Sequence, residues 1–268
     1  MKRSFAINVA FKRSVLFCAS LAITITLFGC VNGQSAKEIA PTGALRMGLY
    51  KGSPSSFLVD GTLLENRGIG FNLGQKLATS LQIPYEPILY KSNAEVLQAI
   101  KDNQIDLVFT NATPVRAQFI QFSKPFVEID KGFLVKPGSS LKTFEELDRP
   151  GVKIGFSAGS SSERELPVLL KSAALIKVGS NGEAIEALRS GNIDAFSTNK
   201  GILFEMADQL PGSQVLPGSI AVESIALGVP ISRADSRPVL DQFYQSIVGS
   251  GELKEIINLS GMRGVVQR

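Results

Sequence analysis

Histidine and tryptophan are absent from the 268-residue chain, and cysteine occurs only twice. Without histidine, Ser-His-Asp and Cys-His nucleophile pairs are excluded, and so are zinc sites built from cysteine and histidine. A site made only of carboxylates stays open. Both cysteines, Cys18 and Cys30, lie at the N-terminus, so we expect no disulfide in the rest of the chain. The sequence predicts neither a metal nor a cofactor.

The N-terminus has the pattern of a secretory signal. Four basic residues and no acidic one lie in the first 13 positions, and an apolar stretch over 15–28 follows. That stretch is short for a membrane span. The Gly-Cys pair that ends at Cys30 resembles the lipobox of bacterial lipoproteins. We predict a signal over 1–29, a lipid on Cys30 and a flexible tether over 30–42; an ordinary signal or a lone membrane anchor is the alternative.

The charge balance changes once the signal is set aside. The chain has 28 basic and 24 acidic residues, and four of the basic ones lie in the signal, which leaves 24 of each. The remaining basic residues form no stripe. We therefore expect no nucleic acid partner, and contact with a membrane only through the lipid anchor.

After residue 43 the sequence alternates between strand-like and helix-like segments. Such alternation is typical of α/β folds, in which helices cover both faces of a largely parallel sheet. A helix followed by Ile-Asp at the start of a strand occurs twice, at Ile105-Asp106 and Ile193-Asp194. This repeat predicts two lobes of the same architecture. The predicted strands are 45–50, 84–89, 106–109, 132–135, 152–156, 193–197 and 224–229, with a hairpin over 57–59 and 62–64; the predicted helices include 94–100, 161–170, 183–190, 200–209, 239–248 and 253–259.

Short motifs in a fixed order carry a family resemblance. They include Gly70-Phe71-Asn72-Leu73, Thr113-Pro114-x-Arg116, Phe122-Ser123-Lys124-Pro125-Phe126 and Ala158-Gly159-Ser160-Ser161. Over almost all of residues 43–260 the chain resembles the extracellular solute-binding proteins of family 3, the periplasmic amino-acid receptors. The resemblance implies the type II periplasmic-binding-protein fold, with two α/β lobes joined by two crossing strands. Lobe 1 would comprise 43–136 and 223–268, and lobe 2 would comprise 137–222.

The resemblance also implies a function. The chain would be the substrate-binding component of an ABC importer, without enzyme activity, and would hold a small polar solute that bears an anionic group. We expect a monomer in the periplasm, anchored by its lipid, whose protein partner is an inner-membrane permease. Two alternatives stay open: an enzyme similar to cyclohexadienyl dehydratases, and a ligand-sensing module. The enzyme needs a positioned carboxylate, and the sequence indicates none in the cleft.

Arg116 is the first candidate for ligand binding. In the family, the arginine of this motif binds the ligand carboxylate, which suits the planar fork of a guanidinium. The alternative is a surface salt bridge. The preceding loop is shorter than usual, and its Thr110 and Asn111 offer a hydroxyl and an amide to the ligand.

Other candidates lie on both sides of the expected cleft. Ser160 and Ser161 match the family segment at a helix N-terminus, where backbone N–H groups attract anions; we expect Ser160 to cap the helix together with Glu163 and Ser161 to contact the ligand. Ser53 and Asn93 stand where the receptors often have aromatic residues, and they predict a more polar cleft. Tyr50 is expected on the same wall.

Asn199 departs from the family pattern. The amino-acid receptors commonly carry an aspartate at this position, which pairs with the ligand ammonium. An amide accepts a hydrogen bond from an ammonium but does not neutralise its charge, so burial of that charge costs more. We expect Asn199 to line the site, and a zwitterionic ligand follows less directly than the family name suggests.

Overall fold

The computed structural model describes residues 34–59 and 66–266. Two long strands cross its centre, β6 (Ile120–Val135, 16 residues) and β11 (Ala221–Pro230, 10 residues). They pair antiparallel, β11 also pairs with a strand of the first lobe, and β6 also pairs with strands of the second lobe. Among the described residues, nine strands thus form one sheet that runs through both lobes.

Strands and helices alternate along the chain as the sequence predicts. The ends of the predicted segments agree with the observed ones to within three residues, with two exceptions. These are the hairpin and the run over 132–135, which is the end of a longer strand. The strand Ala174–Val178 and the first half of the strand Ile120–Val135 were not predicted. The strands are β1 Leu45–Tyr50, β2 Leu58–Val59, β3 Asn66–Arg67, β4 Tyr85–Tyr90, β5 Leu107–Asn111, β6 Ile120–Val135, β7 Lys153–Ser157, β8 Ala174–Val178, β9 Ala195–Asn199, β10 Gln214–Val215 and β11 Ala221–Pro230. The order in the large sheet is β4-β1-β5-β11-β6-β9-β7-β8, with β10 beside β6. The helices are α1 over 34–39, α2 Ile69–Leu81, α3 Asn93–Lys101, α4 Phe144–Leu147, α5 Ser162–Leu169, α6 Asn181–Arg189, α7 Lys200–Asp208, α8 Arg237–Ser250 and α9 Glu252–Ser260.

Each lobe has its own apolar core on the two faces of its part of the sheet. In the first lobe, α2, α8 and α9 cover one face of β1 and β5, and α3 packs on the other face. In the second lobe, α6 and α7 cover one face of β7 and β9, and α5 covers the other. Two α/β lobes joined by two crossing strands are therefore confirmed. The limits of the lobes at 136/137 and 222/223 stay a prediction.

The repeated Ile-Asp pair has the same structural role in both lobes. The Asp106 carboxylate accepts a hydrogen bond from the backbone N–H of Arg46 at 3.0 Å, at the start of β1. The Asp194 carboxylate accepts one from the backbone N–H of Lys153 at 2.9 Å, at the start of β7. Each aspartate thereby ties the strand that follows it to a neighbouring parallel strand, and both strands lead to the cleft.

Two predictions near the N-terminus need correction. Residues 34–39 form a helix rather than a tether, because Ala36 and Ile39 pack into the core of the first lobe. β2 pairs with β3 and not with 62–64, as the predicted hairpin required. Residues 62–64 and 1–33 lie outside the described residues. The predicted signal and Cys30 thus also lie outside the described residues. No helix among residues 34–59 and 66–266 has the length and apolar character needed to cross a bilayer.

Candidate functional site

A polar pocket lies between the two lobes, where the ends of β5 and β9 meet β11 and the start of α5. The topology explains its position, because the carboxyl ends of parallel strands from both lobes face each other across the crossing strands. Eight of the nine predicted ligand residues line this pocket, and they come from both lobes: Tyr50, Asn93, Thr110, Asn111, Arg116, Ser160, Ser161 and Asn199.

Ser53 is the predicted residue that does not line the pocket. It is fully buried, and its hydroxyl forms a hydrogen bond of 2.8 Å with the hydroxyl of Ser55. The turn after β1 directs Ser55 to the pocket instead. The expected contact between Ser53 and a ligand is therefore corrected to Ser55.

Arg116 lies at the start of a 3-10 helix (Arg116–Gln118) and is only 4% exposed. Its Nη1 donates to the Thr110 hydroxyl at 2.8 Å and to the Asn111 carbonyl at 3.1 Å. Its Nη2 donates to the carbonyl of Gly159, in the other lobe, at 3.3 Å. Among the described residues no carboxylate forms an ion pair with this guanidinium, so the alternative of a surface salt bridge is wrong.

The hydrogen bonds of Arg116 leave two of its five N–H donors without partners among the described residues. An arginine has five N–H donors, and the three bonds above use both donors of Nη1 and one donor of Nη2. Nε is buried and has no hydrogen-bond partner among the described residues. Nε–H lies on the same side of the guanidinium as Nη2, and such an edge can bind both oxygens of a carboxylate.

Burial sets the electrostatics of the pocket. It lowers the pKa of Arg116, an effect that the charge of Glu223 opposes, and the guanidinium stays protonated at neutral pH because its ordinary pKa is so high. Burial also raises the pKa of Tyr50 to about 12. The Tyr50 phenol is therefore neutral at physiological pH and can form hydrogen bonds without adding charge.

Of the two serines at the start of α5, Ser160 differs from its predicted role, and the predicted contact of Ser161 with a ligand stays a prediction. Ser160 does not cap the helix, because its hydroxyl donates to the carbonyl of Ser157 at 2.7 Å. Glu163 accepts a hydrogen bond from the backbone N–H of Gly159 at 2.8 Å instead. Ser161 is buried, and its hydroxyl donates to Glu223 at 2.6 Å while it accepts from Lys131 at 2.7 Å.

Asn199 caps α7 and also contacts the crossing strand. Its Oδ1 accepts a hydrogen bond from the backbone N–H of Ile202 at 3.1 Å, and its Nδ2 donates to Glu223 Oε2 at 3.1 Å. Asn199 is thus at the pocket, as expected, with its amide already bonded on both sides.

Glu223 and Lys131 are two buried charged residues of this region that the sequence did not reveal. Glu223 lines the pocket, which corrects the expectation that the cleft has no carboxylate. Lys131 is 1% exposed and pairs with Glu165 on α5. The predicted crossing strand began at Ser224 and so omitted Glu223. A signal was available, because side chains alternate along a strand and Glu223 is two residues from the apolar, pocket-lining Ile225.

The two lobes are in direct contact across the pocket. Besides the bond from Arg116 to Gly159, Asn181 Nδ2 on α6 donates to the carbonyl of Gly52 at 3.1 Å. Gly159 approaches α3 so closely that a Cβ atom at this position would lie 3.1 Å from the Cβ of Ala94. A small molecule bound in this pocket would therefore be enclosed by both lobes.

Two α/β lobes, two crossing strands and an enclosed polar pocket between them define a solute-binding protein. Residues 45–259 match the model of the bacterial extracellular solute-binding proteins, family 3. The chain belongs to this family, and its fold is the two-lobed fold that the sequence predicts.

Known proteins of the same kind are similar to the chain over most of its length. The glutamine-binding protein GlnH of an ABC transporter from Bacillus subtilis (strain 168) is 24% identical over 199 residues, which are 72% of this chain and 71% of that protein. The substrate-binding protein AbpA from Streptococcus pneumoniae Canada MDR_19A, solved with L-arginine, has 23% identity and a TM-score of 0.73, and the match covers 84% of this chain and 97% of AbpA. The ancestral amino acid-binding protein AncCDT-1, described as a precursor of cyclohexadienyl dehydratase, has 22% identity and a TM-score of 0.71, over 83% of this chain and 97% of its own.

Proposed function

We propose that this protein is the amino-acid-binding component of an ABC importer and that Arg116 binds the ligand's α-carboxylate. The observation that carries the proposal is a buried guanidinium with an unpartnered Nε in a pocket lined by both lobes. A buried cation without an anionic partner is costly, and a carboxylate that forms two parallel hydrogen bonds offsets this cost. Family membership and relatives named for glutamine and arginine support the same function.

A thermal-shift screen of the chain from residue 31 tests this proposal. The panel contains L-glutamine, L-glutamate and L-arginine, the other standard amino acids, the carboxamide derivative of each, and prephenate. A ligand at one hundred times its dissociation constant should add about 2.7 kcal/mol to the free energy of unfolding. We expect at least one amino acid to raise the melting temperature, and its carboxamide, which lacks the anion, to have no effect.

Two substitutions make the screen specific for Arg116. Arg116→Ala should abolish the shift, and Arg116→Lys should weaken it because a lysine ammonium keeps the charge but loses the fork. Arg164→Ala is the matched control, since Arg164 is an exposed arginine on α5 outside the pocket. Binding that survives Arg116→Ala, or a panel without any amino-acid ligand, would contradict the proposal.

The pocket supports ligand binding without catalysis better than it supports an enzyme. Glu223 is a carboxylate in the pocket, which an enzyme similar to cyclohexadienyl dehydratases would need. However, both of its oxygens accept hydrogen bonds, from Ser161 and Asn199, and a carboxylate held in this way is an acceptor rather than a proton donor. We expect no turnover of prephenate, measured by release of phenylpyruvate, and turnover would favour the enzyme.

We also propose that the protein is exported, lipidated at Cys30 and held at the periplasmic side of a membrane, where it works as a monomer with a separate permease. The basic and apolar N-terminal pattern and the Gly-Cys pair support this proposal. Labelling of cells with an alkyne fatty acid tests it. Cys30→Ser should abolish incorporation, and Cys18→Ser, which changes the other cysteine, should leave it intact; label that persists in Cys30→Ser would contradict a lipid at this residue.

A further inference from the structure

The amide of Asn199 carries no charge that could neutralise a ligand ammonium. Its oxygen accepts the hydrogen bond from Ile202 that caps α7. Its nitrogen is a donor and is directed at Glu223, so it offers no site for another donor. Whatever neutralises a buried ammonium in this pocket must therefore come from another residue.

Glu223 has the charge and the position that Asn199 lacks. It lies on the crossing strand β11, is 9% exposed and lines the pocket. Its two oxygens accept one hydrogen bond each from the side chains of Ser161 (2.6 Å) and Asn199 (3.1 Å). A carboxylate has about four acceptor sites, so Glu223 retains capacity for further donors.

The register of the sheet explains why Asn199 can hold Glu223. Strand β6 lies between β9 and β11, with Lys131 opposite Asn199 and Ile129 opposite Glu223. One strand, β6, thus separates Asn199 from Glu223, and the two side chains meet across it. The nearest cation is Lys131, whose Nζ lies 3.8 Å from Glu223 Oε1. This Nζ is closer to Glu165, a carboxylate outside the pocket.

Arg116 and Glu223 line the same pocket, and among the described residues they do not form an ion pair with each other. A cation and an anion that line one pocket without pairing with each other match a molecule that carries both charges. We propose that Glu223 binds the ligand's ammonium and that Asn199 is the residue that positions Glu223. This inference rests on the proposed function, and it adds the second charge to the site.

The ratio of two affinities tests the role of Glu223. We would measure by calorimetry the affinity of the best amino acid of the screen and that of its des-amino analogue, which keeps the carboxylate and the side chain. A hydrogen bond to a charged group is worth about 10- to 100-fold in affinity, so the wild type should prefer the amino acid by at least this factor. In Glu223→Gln the preference should fall to within about threefold. A Glu223→Gln variant that keeps the wild-type ratio would overturn the proposal.

A matched control separates the pocket charge from the surrounding network. Glu165→Gln removes a carboxylate that contacts the same Lys131 but does not line the pocket. It should leave the ratio of the two affinities unchanged, whatever it does to stability. If Glu223→Gln weakens both ligands equally, as a purely structural role requires, the assignment of the ammonium to Glu223 is wrong.

Moving the negative charge from β11 to β9 gives a second, positive test. In the double variant Asn199→Asp with Glu223→Gln, the aspartate at position 199 can still cap α7. The glutamine amide at position 223 can donate a hydrogen bond to this aspartate, which replaces the bond that Asn199 now donates to Glu223. The preference for the amino acid over its des-amino analogue should return. Failure to return, in a variant that folds and retains its melting temperature, would count against an ammonium site here.

The proposed function and this inference fail in different ways. If no amino acid binds, or if Arg116→Ala binds like the wild type, the proposed function fails. If amino acids bind through Arg116 but the ratio does not respond to Glu223→Gln, only the inference fails.

Discussion

Thr110 holds the guanidinium of Arg116 in its orientation through a hydrogen bond of 2.8 Å from Nη1. Both residues are buried, so this hydroxyl is a necessary acceptor. A donor that loses its partner in such a place costs about 1–3 kcal/mol. Thr110 therefore matters for binding even where it does not itself contact the ligand.

Thr110→Val replaces the hydroxyl with a methyl group of similar shape. We expect it to weaken binding of the amino acid about tenfold, which corresponds to about 1.4 kcal/mol, because Arg116 loses an acceptor and its preferred orientation. Thr110→Ser keeps the hydroxyl and should bind within about twofold of the wild type. Calorimetric titration of both variants checks this, and the reverse order of affinities would show that the methyl group of Thr110 matters more than its hydroxyl.

The residues of the pocket could be predicted where a local motif carries them, as for Arg116 and Ser161. The position of Glu223 at the pocket follows from side-chain alternation with Ile225. Its partners could not be predicted, because Ser161 and Asn199 are 62 and 24 positions away in the chain. The hydrogen bonds of Asn199 could not be predicted either, since they depend on the register of the sheet.

At the scale of elements, the turn between β7 and α5 brings the second lobe against the first. Gly159 in this turn has a φ of +70°, and a Cβ there would lie 3.1 Å from the Cβ of Ala94 on α3. The glycine thus meets two requirements, one of the backbone and one of the contact between lobes. Gly138 has the same φ, but no atom lies within 4 Å of its Cβ position.

Gly159→Ala and Gly138→Ala separate these two requirements. Both should lower the free energy of unfolding by about 1–2 kcal/mol, because a side chain disfavours the left-handed conformation. Only Gly159→Ala should also weaken ligand binding, by about fivefold or more, since overpacking of the contact with Ala94 costs about 1 kcal/mol or more. Urea unfolding and calorimetry measure the two effects. Equal affinities in the two variants would contradict a role for this contact in enclosing the ligand.

The aspartates at the strand starts predict different losses in the two lobes. Asp106 is fully buried between Arg46 and Arg233, at 2.7 Å from each, so Asp106→Asn should cost about 3–5 kcal/mol. Asp194 is partly exposed and pairs with Lys136 at 2.6 Å, so Asp194→Asn should cost about 1 kcal/mol. Urea unfolding at neutral pH checks the order, and equal losses would contradict it.

Asp194 also predicts a dependence on pH. Burial acts to raise the pKa of Asp194, but hydrogen bonds from Lys136 and from the backbone of Lys153 outweigh it and lower the pKa. A carboxyl with a lowered pKa stabilises the fold above its unfolded pKa of about 3.9, and this contribution is lost as the pH falls through the folded value. The free energy of unfolding should therefore fall less between about pH 5 and pH 3 in Asp194→Asn than in the wild type.

Periodicity and turn residues predicted most elements, because strand and helix patterns are local. The strand Ala174–Val178 was missed since half-exposed positions dilute its apolar pattern, and it exists through its parallel pairing with β7. The segment 34–39 has the composition of a linker, yet it is helical because Ile39 finds a place in the core of the first lobe. In both cases tertiary contacts decided what local sequence left open.

In the whole molecule, one sheet runs through both lobes, so residues of both lobes form the pocket. Arg116 comes from the first lobe, Ser161 from the second, and Glu223 from the strand that joins them. A ligand that bridges these residues binds best when the lobes are together, so its binding energy favours the closed arrangement. Closure by hinge motion around β6 and β11 is the movement that the fold offers.

A crystal structure of the complex with the amino acid that gives the largest thermal shift would show directly how the ligand is held. We expect the ligand between the lobes with its carboxylate oxygens within about 3 Å of Arg116 Nε and Nη2, while Nη1 keeps its bonds to Thr110 and Asn111. The ammonium should lie within the same distance of Glu223. A ligand whose carboxylate is held elsewhere, with the Nε–Nη2 edge of Arg116 turned away from it, would contradict the account.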